Sequence, residues 1–246
     1  MEIYHKMESQ GNWLFKRRSF IPLILLAGGI AIILIEDRSH IADSNIIWDI
    51  ICITLSFMGF VFRFYTIGQI PKGTSGNTTK DGQTADSLNT TGVYSILRHP
   101  LYVGNFIIWL GLCLYIDSLW FTITYILLFW IYYERIMFAE EMFLKRLHNK
   151  KYQEWAAVTP GFIPSLKAWK TNKMYFSWRH STKRESNGFF AIILTFTVLR
   201  TIKWLWFENM ESPGIFWYIF FLSGLIIFIL IRILRKITNV FKVQDR

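Results

Sequence analysis

Six apolar segments alternate with polar, mostly basic loops along the chain. They lie at about Phe20–Ile35, Ile46–Tyr65, Leu101–Ile116, Leu119–Phe138, Gly188–Phe207 and Gly214–Leu234. A helix that crosses a bilayer needs about 20 mostly apolar residues, so the third segment is short for a full crossing. Only Ile116-Asp117-Ser118 separates the third segment from the fourth, which predicts a tight helical hairpin. The pattern predicts an all-α, polytopic membrane protein with about six transmembrane helices.

The composition supports this class and excludes others. Hydrophobic residues make up 52% of the 246 positions and charged residues only 18%, with a mean hydropathy of +0.30. That is more apolar surface than one soluble core needs, and it excludes intrinsic disorder and disfavours a cytosolic enzyme built on a doubly wound sheet. The two cysteines, Cys52 and Cys113, both lie inside apolar segments. We therefore expect neither a disulfide framework nor a metal site.

Charges in the loops predict how the chain is oriented. Lys16-Arg17-Arg18 precede the first apolar segment, and the loop that follows it carries mostly acids, namely Glu36, Asp37 and Asp43 beside Arg38. Cytoplasmic loops are enriched in Lys and Arg, so the N-terminus is expected in the cytoplasm. The basic stretch Lys145–Arg184 and the final cluster at Arg232, Arg235 and Lys236 fall on the same side. This predicts a multi-pass protein with both termini cytoplasmic.

The formal net charge of +10 is attributed to this topology and to anionic lipid headgroups. Nucleic acid is not expected as a partner, because the basic residues lie beside apolar segments and not on a soluble face. The first segment looks like a signal peptide, but no small-residue cleavage site follows Ile35, so it is interpreted as a retained span.

The stretch Thr91–Asn105 joins a polar loop to the third apolar segment. Pro100 suits the first turn of a helix, and the residue before a proline, His99, is pushed towards an extended conformation. The start of such a helix offers free N–H groups to an anion, Arg98 and His99 add side-chain donors, and Gly104 allows a close approach. An equally ordinary interpretation is an interfacial helix start that faces headgroups.

A second stretch, Tyr133–Leu144, continues the fourth apolar segment as a helix. Helical spacing puts Glu141 near Glu134 and Lys145, whereas Arg135 and Glu140 lie about 140° apart. Carboxylates at a membrane boundary are costly unless they are paired or used, which favours a functional role. The alternative is a solvated helix end with salt bridges such as Glu141 to Lys145.

Together the two stretches form an ordered pattern that resembles the integral-membrane methyltransferases, which include isoprenylcysteine carboxyl methyltransferase and the phospholipid N-methyltransferases. The resemblance covers roughly Leu88–Leu166. It rests on Thr91-Gly92-Val93-Tyr94, Arg98-His99-Pro100-Leu101-Tyr102-Val103-Gly104, Glu140-Glu141, Tyr152-Gln153-Glu154-Trp155 and Pro160-Gly161-Phe162-Ile163-Pro164. This places a methyltransferase catalytic region at 88–169, after N-terminal spans and a cytoplasmic loop at 1–87 and before a basic linker and two C-terminal spans at 170–246.

The resemblance implies S-adenosylmethionine as the cofactor, bound on the cytoplasmic side, and a lipid acceptor that reaches the site from the bilayer. By similarity the cofactor-binding residues are Leu88, Asn89, Tyr94, Arg98, His99, Pro100, Leu101, Tyr102 and Glu140. The implied catalytic residues are Glu140 and Arg135, although Arg135 stands one position further from the glutamate than the matching arginine of the prenyl-substrate enzyme. The chain has no Gly-x-Gly-x-x-Gly fingerprint, in keeping with a family that does not use a Rossmann crevice.

Two features bear on the acceptor. The loop Lys72–Lys80 could fold backbone N–H groups round an anion, or it could be a solvated linker. Arg200 and Lys203, inside the fifth apolar segment, could face an anionic partner or extend to the outer interface. These features favour a phospholipid amine or lipid phosphate as the acceptor.

Two alternatives to this acceptor stay open. One is the carboxylate of a C-terminal isoprenylcysteine, and the other is a non-catalytic membrane scaffold or transporter subunit. An amine acceptor would need a general base, for which the candidates are Glu140, Glu141 and His148. The sequence leaves the oligomeric state open.

Overall fold

The computed structural model is almost entirely helical and describes residues 2–35, 46–71, 77–79, 82–84, 87–172, 174–207, 211–241 and 243. The α-helices are α1 Glu2–Lys16, α2 Ile21–Ile35, α3 Ile46–Gly68, α4 Val93–Ile96, α5 Pro100–Ile116, α6 Leu119–Val158, α7 Trp178–Trp206 and α8 Ile215–Ile237. A 3₁₀ turn covers Leu166–Ala168, and the short strands β1 Asn77–Thr79 and β2 Gly82–Thr84 pair antiparallel. The predicted all-α class is confirmed.

Each of the six predicted apolar segments lies in a helix, but six full spans are not confirmed. Among the described residues, four helices are long and apolar enough to cross a membrane: α3, α6, α7 and α8. Helices α1 and α2 are bent by 75° and add a fifth span if the pair is counted as one. Helix α5 has 17 residues and is shorter than a full crossing, as its segment predicted.

The predicted hairpin between α5 and α6 is present. Asp117 ends α5 in the left-handed conformation, at φ 68° and ψ 35°, and its N–H donates to the Leu114 carbonyl. Aspartate tolerates this conformation better than most residues, so a two-residue turn suffices. Helix α6 then continues well beyond its apolar part to Val158, with a break in its helical geometry at Asn149 (φ 39°, ψ −113°).

Glycines bring α3 and α5 into close contact. A Cβ atom on Gly59 would lie 2.7 Å from the Gly104 carbonyl oxygen, and one on Gly104 would collide with the side chain of Arg63. The Ser56 hydroxyl donates to the Ile108 carbonyl at 2.7 Å across the same interface. Gly104 was predicted to allow a close approach, and the element that approaches it is helix α3. This contact places Arg63 beside the first turns of α5.

The start of α7 packs on the end of α3. The Ser177 N–H donates to the Gly68 carbonyl at 2.8 Å, and the Ser181 hydroxyl donates to the Phe64 carbonyl at 2.7 Å. One turn further, Glu185 accepts two hydrogen bonds from Arg63 at 2.8 and 3.1 Å. These contacts fix the C-terminal helices to the same end of the bundle as the Arg-His-Pro stretch.

Arg200 and Lys203 lie at the other end of α5. The Lys203 ammonium donates to the Tyr115 carbonyl at 2.6 Å and lies 4.4 Å from the centre of its ring, and Arg200 donates to the Glu211 carbonyl at 3.3 Å. Tyr115 stands 16 residues after His99, a distance of roughly 24 Å along a helix. The two cations thus bind protein groups far from the Arg-His-Pro end and lend no support to a phosphorylated acceptor.

Two other charged stretches fall wholly or partly outside the described residues. These are the acidic loop that contains Glu36, Asp37 and Asp43, and the loop Lys72–Lys80 apart from β1.

Candidate functional site

Helix α5 begins at Pro100, as its sequence predicted. His99 precedes it with non-helical angles of φ −121° and ψ 58°. The backbone N–H of Arg98 donates to the Pro160 carbonyl at 2.9 Å, and that of His99 donates to the Gly161 carbonyl at 3.3 Å. The Pro-Gly motif after α6 therefore holds the start of α5 in place.

The end of α6 and the segment after it clasp the loop that leads into α5. The Trp155 indole N–H donates to the Tyr94 carbonyl at 2.9 Å. Further along, Gly92 donates to the Lys170 carbonyl at 2.8 Å, and the Lys170 N–H donates to the Ser95 hydroxyl at 2.8 Å. Gly92 has φ 60°, a conformation that glycine adopts without steric cost. The family motifs that are distant in sequence thus build one loop.

Two carboxylates of α6 face this loop. The His99 ring lies between them, with Nε2 2.9 Å from Glu141 Oε1 and Nδ1 3.5 Å from Glu140 Oε2. Arg98 Nε lies 3.0 Å from Glu141 Oε1, and the Tyr102 hydroxyl donates to Glu140 Oε2 at 3.0 Å. Burial lowers the pKa of His99, but the hydrogen bonds and negative charges of Glu140 and Glu141 outweigh it and raise that pKa above its usual 6.5.

These groups line two adjoining cavities, of about 240 Å³ and about 30 Å³, which share Tyr94, Arg98, His99 and Glu140. The larger cavity also takes in Pro100, Leu101 and Tyr102, and the smaller one Leu88 and Asn89. All nine residues predicted to bind the cofactor therefore line one or both cavities.

Arg135, the second predicted catalytic residue, lies elsewhere. Its guanidinium donates to Gln10 of α1 at 3.1 Å and to Glu134 at 3.0 Å, and it lines neither cavity. This placement agrees with the angle of about 140° between Arg135 and Glu140 on an ideal helix. His148, one of the three candidate bases, also lies outside the lining of both cavities.

Several residues of the larger cavity were not predicted: Arg18, Arg63, Ile67, Asn105, Tyr133 and Arg184. Some of them form a hydrogen-bonded chain that runs through the wall of the cavity. Arg63 donates to Asn105 Oδ1 at 2.7 Å, and the Asn105 amide donates to the Tyr133 hydroxyl at 3.0 Å. One feature of the sequence indicates these hydrogen bonds. Arg63 is a cation between Phe62 and Phe64 in an apolar segment, where a charge needs polar partners.

A third cavity, of about 270 Å³, is almost wholly apolar and lies between α2, α5 and α6. Ile21, Pro22 and Leu25 of α2 form one side, and Phe129 and Tyr133 of α6 lie on another. Tyr133 also lines the larger polar cavity. This third cavity, called the apolar groove below, and the larger polar cavity therefore share Tyr133 in their walls.

The polar cavities suit a donor such as S-adenosylmethionine, which carries a carboxylate, a cationic sulfur, hydroxyls and an aromatic base. Among the described residues, Asn89 Nδ2 is buried without a hydrogen-bond partner and is available as a donor. Glu140 can face a cation or a hydroxyl, and the Tyr94 and Trp155 rings offer apolar faces. Within the same described ranges no three His, Cys, Asp or Glu side chains are grouped to hold a metal ion.

Comparison with known proteins agrees with the motif pattern. The model of the phospholipid methyltransferase family matches residues 48–151. A nickel-cobalt-cadmium resistance protein of Alcaligenes xylosoxydans xylosoxydans is 29% identical over 50% of this chain and 61% of its own length. A cobalt-zinc-cadmium resistance protein of Cupriavidus metallidurans is 36% identical over 36% of this chain and 41% of its own length.

The protein-S-isoprenylcysteine O-methyltransferase of Schizosaccharomyces pombe is 31% identical over 32% of this chain and 34% of its own length. The chain thus spans less than two thirds of each of these relatives, and no solved structure gives a significant match. The region matched by the family model nevertheless includes most residues that line the two polar cavities. Over this part of its length the chain is therefore similar to the integral-membrane methyltransferases that include the phospholipid and isoprenylcysteine enzymes, in agreement with the resemblance of its motifs.

Proposed function

We propose that this chain transfers a methyl group from S-adenosylmethionine to an acceptor that is a lipid or lipid-anchored, at the polar cavities beside the start of α5. The observation that carries the proposal is that two unlike cavities share Tyr133 in their walls, one polar and rich in charged groups and the other apolar. A methyl transfer between a polar donor and a membrane-bound acceptor needs that combination.

The donor would lie against the predicted residues at the start of α5. Asn89 and Arg98 provide hydrogen-bond donors for its carboxylate, and Glu140 provides negative charge for its cationic or hydroxylated parts. When bound there, S-adenosylmethionine would supply a methyl group on a cationic sulfur, with S-adenosylhomocysteine as the leaving group. We do not include Arg135 in this site, because its guanidinium binds Gln10 and Glu134.

The side chains around the donor are held in position before it binds. Glu140 is fixed by Tyr102, and Glu141 is fixed by His99 and Arg98. Because these bonds connect α5 with α6, the two carboxylates do not have to reorganise when a cation arrives. Positioning of the two reactants and exclusion of water then supply most of the rate, as is usual for reactions without difficult proton transfers.

The acceptor would reach the site from the bilayer through the apolar groove, with its hydrocarbon part against α2 and its polar end beside Tyr133. We favour a phospholipid amine or lipid phosphate. A prenylated carboxylate is the second candidate, because the Schizosaccharomyces pombe relative is named for that substrate. For an amine, Glu140 and Glu141 are the carboxylates in the cavities that could accept its proton.

We further propose that the site and both termini face the cytoplasm. The support is the arrangement of basic loops, because the arginines of the cavity and the stretch Lys145–Arg184 belong to the side that carries the most cations. Anionic headgroups of that leaflet would then be partners of these loops.

Binding of S-adenosylhomocysteine to the purified full chain separates an enzyme from a non-catalytic scaffold. We expect measurable binding by calorimetry in detergent, and a loss of at least about tenfold in affinity for His99→Ala and Glu140→Gln, because each removes a charged hydrogen-bonding group. Glu154→Gln is the matched control, since this glutamate is exposed on the same helix. Equal affinity in all four proteins would refute the site, and no binding by the wild type would refute the function.

The acceptor can be identified in membranes that contain the protein. Membranes are incubated with donor labelled in its methyl group, and labelled lipids and proteins are separated. Base-labile label in lipid or protein indicates methyl esters, whereas base-stable label in a phospholipid indicates N-methylation. Label that does not depend on Glu140 would come from another enzyme.

A further inference from the structure

Tyr133 is part of the walls of both the apolar groove and the larger polar cavity, and its ring is held by other aromatic rings. It stacks on Phe129 with 4.1 Å between the ring centres, and the rings of Tyr102 and Tyr132 each lie 4.8 Å from it by the same measure. The residue is 7% exposed. Packing therefore sets the position of the Tyr133 hydroxyl, and its hydrogen bonds decide what else it can bind.

Arg63 fixes the direction of the hydrogen bond between Asn105 and Tyr133. An asparagine side chain can present either its oxygen or its amide nitrogen to a neighbour, but a guanidinium group only donates. The oxygen of Asn105 therefore accepts from Arg63 at 2.7 Å, and the amide nitrogen is left to donate to the Tyr133 hydroxyl at 3.0 Å. Arg63 is itself held by both carboxylate oxygens of Glu185. The oxygen of Tyr133 is thus the acceptor at the end of a chain of hydrogen bonds that begins on α7.

This arrangement leaves the O–H of Tyr133 to donate to another group. A tyrosine hydroxyl can donate one hydrogen bond while it accepts another. Among the described residues, none accepts a hydrogen bond from this hydroxyl. Arg63, Asn105 and Tyr133 all line the larger polar cavity, so a ligand there can accept it. Because a buried donor is costly to leave unpaired, this part of the wall is complementary to a ligand that presents an oxygen.

We propose that Tyr133 positions the lipid acceptor by donating a hydrogen bond from its hydroxyl to an oxygen of the acceptor's polar end. This role rests on the proposed function, in which the hydrocarbon part lies in the apolar groove and the polar end lies beside Tyr133. A chain in an apolar groove can slide along it, and one directed hydrogen bond fixes how far the polar end enters the cavity. Phosphate, carboxylate and ester oxygens all accept such a bond, so the contact does not select among the candidate lipids.

Arg63 and Asn105 act through Tyr133 and are positioning residues. Glu185 extends the same effect to α7, which lies beyond the residues 48–151 that the family model matches. A helix outside the matched region thereby controls which way a hydroxyl in the shared wall of the two cavities can donate.

The first variant is Tyr133→Phe, which keeps the packed ring and removes the hydroxyl. Membranes that contain the full chain are incubated with saturating S-adenosylmethionine labelled in its methyl group, and the rate of label transfer is measured. We expect a rate about tenfold below that of the wild type, because one hydrogen bond to the lipid acceptor is lost. The affinity of the purified variant for S-adenosylhomocysteine should be unchanged. Tyr218→Phe is the control, since this tyrosine of α8 is exposed and lines none of the three cavities.

Asn105→Asp tests the direction of the hydrogen bond with almost no change in size. An aspartate beside Arg63 is ionised and only accepts, so the Tyr133 hydroxyl would donate to it and be withdrawn from the lipid. We expect the same loss of rate as in Tyr133→Phe, about tenfold, and no further loss in the double variant. A purely structural role predicts the reverse, because the new carboxylate gains an ion pair with Arg63 and the variant would be at least as stable and as active. Asn187→Asp, on the exposed side of α7, is the control for the added charge.

An active wild type with a wild-type rate in Tyr133→Phe overturns the role of the hydroxyl. Weaker S-adenosylhomocysteine binding in this variant also overturns it, because the hydroxyl would then serve the methyl donor. A wild-type rate in Asn105→Asp, or losses that add in the double variant, overturns the part assigned to Asn105; if Asn105→Asp does not fold, Tyr133→Phe decides alone. A wild type that transfers no label refutes the proposed function and the role of Tyr133 together, so the two failures are distinguishable.

Discussion

The ion pair between Arg63 and Glu185 offers the sharpest test of how the C-terminal helices contribute to the site. Its side chains are 18% and 7% exposed, and two hydrogen bonds of 2.8 and 3.1 Å join them. Removing one partner of a buried pair costs about 3–5 kcal/mol, because the other charge remains buried alone. Since Arg63 keeps some contact with solvent, we expect Glu185→Leu to lower the free energy of unfolding by about 3 kcal/mol.

The companion variants complete a double-mutant cycle. Arg63→Met leaves Glu185 alone and also removes the hydrogen bonds to Leu101 and Asn105, so we expect it to cost about 4 kcal/mol. The double variant buries neither charge, and we expect its loss to be smaller than that of Arg63→Met alone. The coupling energy between the two sites should therefore be at least about 3 kcal/mol.

The assay is unfolding of the full chain in mixed micelles with increasing dodecyl sulfate, followed by circular dichroism. The control cycle uses Lys150 and Glu154, whose side chains are 88% and 68% exposed at 3.9 Å, and its coupling should be close to zero. Additive losses in the Arg63 and Glu185 cycle would refute the reasoning, since they would mean that the ion pair does not fix α7 to α3. A coupling energy of similar size in the control cycle would also refute the reasoning.

Two further predictions concern the loop at the start of α5. Trp155→Phe should lower the free energy of unfolding by about 1–3 kcal/mol, because the buried Tyr94 carbonyl loses the indole N–H that donates to it. Thermal unfolding measures this loss, and an unchanged unfolding midpoint would contradict the role of this hydrogen bond. The raised pKa of His99 means that protonation stabilises the folded protein. This stabilising contribution is fully present below pH 6.5 and is lost as the pH rises through the raised pKa of His99. The difference in free energy of unfolding between wild type and His99→Gln should therefore shrink from near neutral pH upwards. A difference that is constant with pH would refute this prediction.

Features set by neighbouring residues were predictable from the sequence. Pro100 disfavours helical geometry at His99, so α5 begins at Pro100 as predicted. Asp117 tolerates the left-handed conformation, and the hairpin to α6 lies at the predicted turn. The separation of Arg135 from Glu140 followed from helical geometry in the same way. The nine residues predicted to bind the cofactor line the same two cavities, because the resemblance carried information on long-range contacts that periodicity lacks.

Features that depend on distant contacts were missed. Arg63 and Glu185 are 122 positions apart, and the sequence of each helix alone does not show that they meet. The bend of 75° between α1 and α2 was missed as well, although it brings Arg18 to the cavity. The predicted number of six spans is not confirmed, because apolar composition marks a short helix such as α5 as readily as a helix long enough to cross the bilayer.

The clasp between the loop at Arg98 and the segment after α6 sets an order for assembly during synthesis. The hairpin of α5 and α6 can insert as soon as its apolar part is made, but the backbone N–H groups of Arg98 and Gly92 can bind the carbonyls of Pro160 and Lys170 only after these residues have left the ribosome. At typical elongation rates of about 5–20 residues per second, that delay amounts to several seconds. The ion pair of Arg63 forms later still, because Glu185 is synthesised after Lys170. During that interval the larger polar cavity lacks the contribution of Arg184 to its wall, so this cavity is completed only after most of the membrane helices have been made.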